Sequence, residues 1–156
     1  MLQVYTTRGR SLFRLFVTHA QCQKTYIFEL FMAKIFLIDD HPDVRNVYEE
    51  LLQMHSHQVE CYSSAIDIFQ RIVETVPDVI IVDQNLPRIS GIELLKSIRE
   101  KKALSSVYVV IYSGDNRVQA QAIDGGAQEF WIKGSDDIFE RIALLESEVN
   151  RHVKSA

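Results

Sequence analysis

The four residues 79–82, VIIV, constrain this chain more than any other stretch. All four are apolar and β-branched and show no alternation, so a strand built from them is covered on both faces. A doubly covered strand belongs to a layered sheet, and crossover helices between parallel strands supply the two layers. From Ala33 onward the chain repeats the matching pattern. Residues 34–38, 58–62, 107–112 and 129–132 read as four more strands. After Pro42, the residues Val44, Val47, Tyr48, Leu51 and Leu52 recur at helical spacing. Ser63 or Ser64 caps a helix carrying Ala65, Ile68, Phe69, Ile72 and Val73, which Pro77 ends. Ile92, Leu94, Leu95 and Ile98 follow Gly91; residues 116–123 make a short helix closed by Gly125 and Gly126. Asp136 or Asp137 opens a last helix with Ile138, Ile142, Leu145 and Val149 on its inner side. Five strand-helix units predict an α/β fold, a doubly wound five-stranded parallel sheet with right-handed crossovers.

The chain changes character at Met32. Its 156 residues, 47% hydrophobic and 24% charged, suffice for one core. Residues 1–31 show no sustained period, and the folded unit is expected to span 32–156, with 1–31 an extension, disordered or added by an upstream start codon. Leu12, Phe13, Leu15 and Phe16 beside Arg8, Arg10 and Arg14 also fit a short amphipathic helix on an anionic membrane. No apolar run here is long enough for a signal-peptide core or a membrane span. The extension carries Arg8, Arg10, Arg14 and Lys24 against Glu29, whereas 32–156 hold the other 13 basic and 20 acidic side chains, net −7. So acidic a domain repels phosphate backbones, and no direct nucleic-acid contact is expected. Cys22 and Cys61 make no disulfide framework or CxxC pair, which fits a reducing cytoplasm. Cys61 reads as a small buried apolar residue.

In a doubly wound sheet, ligands bind beyond the carboxyl ends of the strands, where strand order switches. Asp39 and Asp40 end the first strand, Asp83 the third, Ser113 the fourth and Lys133 the fifth. Five polar side chains therefore meet on one rim. Clustered carboxylates raise one another's pKa unless a cation compensates them. Oxygen donors with room for water suit Mg²⁺. An Asp beside such a metal is a candidate nucleophile for a phosphoryl group, a transfer that needs positioning and charge neutralisation above all.

The motifs IDD, VDQNLPRISG, YSG and FWIKG, in this order and spacing, make residues 33–150 similar to the response-regulator receiver domain of two-component signalling. The resemblance implies a (βα)5 CheY-like, flavodoxin-like sheet with strand order 2-1-3-4-5. It implies Asp83 as phosphoacceptor, Asp40 as direct Mg²⁺ ligand, Asp39 as ligand through water, and the backbone carbonyl of Asn85 completing the metal's protein ligands. Lys133 would pair with phosphoryl oxygens, Ser113 would move to hydrogen-bond them, and Phe130 would swing inward as the switch aromatic. A histidine kinase or phosphotransfer protein would donate the phosphoryl group, and a downstream protein would read a surface made by the fourth helix, fifth strand and fifth helix. Because little sequence follows the fifth helix, a stand-alone receiver is expected, not an enzyme beyond its own phosphotransfer and autodephosphorylation.

Simpler roles compete at each position. Adjacent carboxylates after a strand cap helices, Ser113-Gly114 makes turns, lysines are solvated charges, and Phe130 and Trp131 alternate as core residues. His41 reads as a cap or bystander. Gly134 replaces the proline that commonly follows the family's lysine, Leu86 replaces a frequent methionine, and Phe130 lacks the hydroxyl of the commoner tyrosine. Gly134 keeps open a receiver-like interaction module that is never phosphorylated. An Asp-nucleophile phosphatase of the haloacid dehalogenase type wants Asp-x-Asp after the first strand; here the aspartates are adjacent and no cap domain is present.

Overall fold

The computed structural model describes residues 2–7, 10–18, 25–66, 68–134 and 137–155; Arg8, Cys22, Lys24 and Asp136 lie outside them. The chain divides into two compact units, Met1–Ala33 and Lys34–Ala156. In the first, β1 (Leu2–Thr7), β2 (Arg10–Thr18) and β3 (Thr25–Phe31) form an antiparallel sheet in the order β1-β2-β3. Leu12, Phe13, Leu15 and Phe16, which also fitted a helix, lie on the central strand β2. Backbone pairing on both sides of β2 satisfies its amides and carbonyls, and aromatic residues favour such pleated positions.

The second unit runs β4 (Lys34–Ile38), α1 (Pro42–Met54), β5 (Gln58–Tyr62), α2 (Ile68–Thr75), β6 (Val79–Asp83), α3 (Gly91–Arg99), β7 (Tyr108–Ser113), α4 (Gln119–Asp124), β8 (Glu129–Ile132) and α5 (Ile138–Ser155). All five strands are parallel, in the order β5-β4-β6-β7-β8, which is 2-1-3-4-5 within the unit. As the apolar run requires, every residue of β6 is buried. The register sets Ile38 beside Val82, Asp83 beside Tyr112, and Ser113 beside Ile132. The carboxyl ends of β4, β6, β7 and β8 therefore finish side by side.

Local chemistry fixes the helix ends. Ser90 and Glu93 make a reciprocal capping box at the start of α3. Asp137 Oδ1 accepts from the amides of Phe139 at 2.9 Å and Glu140 at 3.3 Å, capping α5. Ser64 Oγ accepts from Ile66 N at 3.2 Å, and α2 begins at Ile68. Residues 116–123 begin as a 3-10 turn, Asn116–Val118, before continuing as α4. Not every apolar residue at helical spacing faces the core: Val47 on α1 is 53% exposed, and Leu52 is the buried residue of that helix. Below the sheet's amino edge, Arg99 clips α3 to two loops, donating to the carbonyls of Gly126 (3.0 Å) and Val107 (3.0 Å) and to Gln128 Oε1 (2.8 Å).

Candidate functional site

The rim at the carboxyl ends of β4 and β6 gathers the acidic residues. Asp39 leaves β4 with its amide still bonded to Tyr62 O at 3.0 Å, so the sheet itself aims its side chain. Arg45 of α1 donates to the Asp39 carbonyl at 2.5 Å and ties the helix to the strand end. Gly91 holds the loop after β6 close: a Cβ there would lie 2.7 Å from the Asp83 carbonyl oxygen, too near for any side chain. Asp39, Asp83 and Ser113 are fully buried, an unusual state for two carboxylates.

Hydrogen-bond donors offset the burial of both carboxylates. Lys133 Nζ reaches Asp83 Oδ2 at 2.8 Å and Asp39 Oδ2 at 3.1 Å, bridging the two strands. The Tyr112 hydroxyl also donates to Asp39 Oδ2. Asp39 Oδ1 accepts from the His41 amide at 2.7 Å, and Asp83 Oδ1 from the Asn85 amide at 3.1 Å. Burial pushes the Asp39 carboxyl upward, but the hydrogen bonds from Tyr112, the His41 amide and Lys133 outweigh it and hold the pKa below the usual carboxylate range. The Tyr112 phenol is driven up by burial first, then by its bond to Asp39 and the charges of Asp39 and Asp83.

Asp40 is different. Its Oδ1 is buried and accepts no hydrogen bond; His41 Nδ1 lies 2.8 Å away but off the hydrogen-bonding direction. Ligand atoms of Asp39, Asp40, His41 and Asp83 all lie within 4.8 Å of one another. Three carboxylates thus face the one ammonium of Lys133, and a divalent cation on hard oxygen donors would balance them. The residues fit Mg²⁺.

The other residues singled out in the sequence take distinct places. Ser113 ends β7, its Oγ accepting from Asp115 N at 3.1 Å. Asn85 is exposed in the loop that follows Asp83. Phe130 packs inward within the core cluster, and Trp131 is buried with Nε1 donating to Glu129 Oε2 at 2.7 Å. Gly134 adopts φ +78°, and Lys133 still reaches both carboxylates. Burial lifts the Cys61 thiol to about 12, leaving no thiolate for chemistry. Sequence reasoning missed Tyr112, whose ring disappears into an apolar strand pattern, and gave His41 no place in the cluster.

The strand ends, acids and lysine form an acidic rim on a doubly wound parallel sheet, and residues 35–143 match the response regulator receiver domain. The chain belongs to that family. It is 30% identical over 116 residues, 72% of its own length, to a nitrate/nitrite response regulator protein homolog of Haemophilus influenzae, covering 56% of that relative. Over 115 residues it is 31% identical to the C4-dicarboxylate transport transcriptional regulatory protein DctD of Pseudomonas aeruginosa, covering 74% of this chain and 24% of that one. The chain therefore spans about half or less of the curated relatives it matches. Among solved structures, a receiver domain protein from Clostridium thermocellum superposes with a TM-score of 0.67 at 25% identity, over 80% of this chain and 96% of that one. CheY4 of Vibrio cholerae shares the fold with a TM-score of 0.68 at 22% identity, over 76% of this chain and 98% of its own. Among the described residues, no helix is long and apolar enough to cross a membrane.

Proposed function

We propose that this receiver takes a phosphoryl group onto Asp83 from a phosphohistidine of a kinase or phosphotransfer protein, and that the modification switches a protein-binding surface on α4, β8 and α5. In the transfer the P–N bond breaks and a P–O bond forms at the Asp83 carboxylate. The observation that carries the reading is the bridge of Lys133 between Asp83 Oδ2 and Asp39 Oδ2, beside the undonated Oδ1 of Asp40. Asp40 and Asp83 would hold Mg²⁺ directly, with the Asn85 carbonyl. Both oxygens of Asp39 are already engaged, which supports its acting through water. When bound, the cation neutralises carboxylate and phosphoryl oxygens. Lys133 exchanges a carboxylate partner for a phosphoryl oxygen, and the Ser113 hydroxyl turns to donate to another. Phe130 already packs inward, so phosphorylation acts by favouring that arrangement together with Ser113 within an existing equilibrium. The output is contact with a downstream protein in the cytoplasm, with no direct contact to nucleic acid or membrane.

The test is incubation with Mg²⁺ and acetyl phosphate followed by intact-mass measurement. The wild-type chain should gain one phosphoryl group and Asp83→Asn none. A chain that folds and stays unmodified would be an unphosphorylated interaction module. Turnover of many phosphoesters per chain would make it a phosphatase.

A further inference from the structure

We propose that Tyr112 is a positioning residue of this pocket: its hydroxyl ties Asp39 to β7 and reserves the cation for Asp40 and Asp83, while its ring seats the Lys133 ammonium. The inference rests on the Mg²⁺-dependent phosphoacceptor reading above. Tyr112 is fully buried and stands directly opposite Asp83 in the β6–β7 register. Three contacts converge on it. Its hydroxyl donates to Asp39 Oδ2; Lys133 Nζ lies 4.5 Å from its ring centroid; and the ring stacks on Tyr48 of α1 at 5.3 Å with an interplanar angle of 25°.

Asp39 and Asp40 are neighbours in the chain with opposite hydrogen-bond states. Asp39 has donors on both oxygens, from His41 N on one and from Tyr112 and Lys133 on the other. Asp40 Oδ1 has none. Removing the Tyr112 hydroxyl leaves Asp39 Oδ2 to Lys133 alone and opens a lone pair. Asp39 would then join Asp40 and Asp83 as a third direct carboxylate ligand and compete with Asp83 for the cation. The aromatic face acts separately, holding the ammonium between the two carboxylates, where an aliphatic side chain exerts no such attraction.

Hydroxyl and ring together predict effects of opposite sign on metal affinity and on phosphorylation rate. Calorimetric Mg²⁺ titration of the full chain should show Tyr112→Phe binding about tenfold more tightly than wild type, the worth of one hydrogen bond to a charged group. At saturating Mg²⁺, its phosphorylation by acetyl phosphate should nevertheless be several-fold slower. Tyr112→Leu, lacking hydroxyl and ring, should also bind Mg²⁺ more tightly and accept phosphoryl more slowly still. Simple loosening of the pocket would weaken both properties together. Thermal unfolding identifies which variants are folded, and either folded variant suffices. Unchanged or weaker Mg²⁺ binding in a folded variant overturns the inference. Asp40→Asn provides the separating control: if wild type binds Mg²⁺ and Asp40→Asn does not, a failure at Tyr112 sinks this inference alone, whereas a wild type that binds no Mg²⁺ sinks the phosphoacceptor reading as well.

Discussion

His57 precedes β5 and is 5% exposed, and burial, helped by the neighbouring charge of His55, pulls its pKa from 6.5 down to about 4. The unfolded chain therefore binds a proton that the folded chain refuses between those two values. Stability from this residue is complete above pH 6.5 and is lost as pH falls toward 4. The full loss is about 3 kcal/mol. Urea unfolding at pH 7.5 and pH 4.5 should show most of that drop in the wild-type chain, and His57→Leu should flatten the difference between the two pH values. An equally steep fall in the variant would place the acid sensitivity elsewhere. Asp39 does not confound the test, because its depressed pKa adds stability that disappears only below the ordinary carboxylate value of 3.8.

Among the elements, α2 ends under strain. Val76 follows its last turn at φ +47°, donates its amide to Ile72 O at 2.8 Å, and precedes Pro77, so a β-branched residue closes the helix in the left-handed region. Val76→Gly should stabilise the chain by about 1 kcal/mol, the left-handed penalty less the extra freedom glycine brings to the unfolded chain. A higher thermal midpoint for Val76→Gly, with no gain for Val76→Ala, is the expected result; equal midpoints for glycine and valine would deny the strain. This cap was illegible in the sequence because Pro77 announces where a helix stops and not which conformation closes it. Strands β4, β5 and β8 were legible to the residue: β4 and β8 as short, mostly apolar runs, β5 (QVECY) more weakly because polar residues interrupt it. The rim was legible because strand ends in a parallel sheet all face one side. Tyr112 was not: an aromatic residue inside an apolar run looks like core, and only the register shows that its hydroxyl meets Asp39. Strands β1 to β3 escaped because their apolar residues follow neither a period of two nor one of 3.6 over a useful length.

At the scale of the whole molecule, the five-stranded sheet is completed without any residue of the first unit. A parallel sheet with both faces covered is a self-sufficient core. The two units also differ in charge, with a basic excess in residues 1–31 and net −7 in the remainder. Residues 32–156 alone should therefore unfold in one cooperative transition, at a midpoint within a few degrees of the full chain, and should accept phosphoryl on Asp83 at the same rate. Calorimetry and intact mass on the shortened and full chains measure both. Among the described residues, no strand of the β1–β3 sheet pairs with β4 to β8, so its removal breaks no ladder of the five-stranded sheet. A midpoint lowered by ten degrees or more in the shortened chain, which for a domain of this size corresponds to roughly 2 kcal/mol or more, would show instead that the first sheet buries apolar surface of the receiver and belongs to its fold.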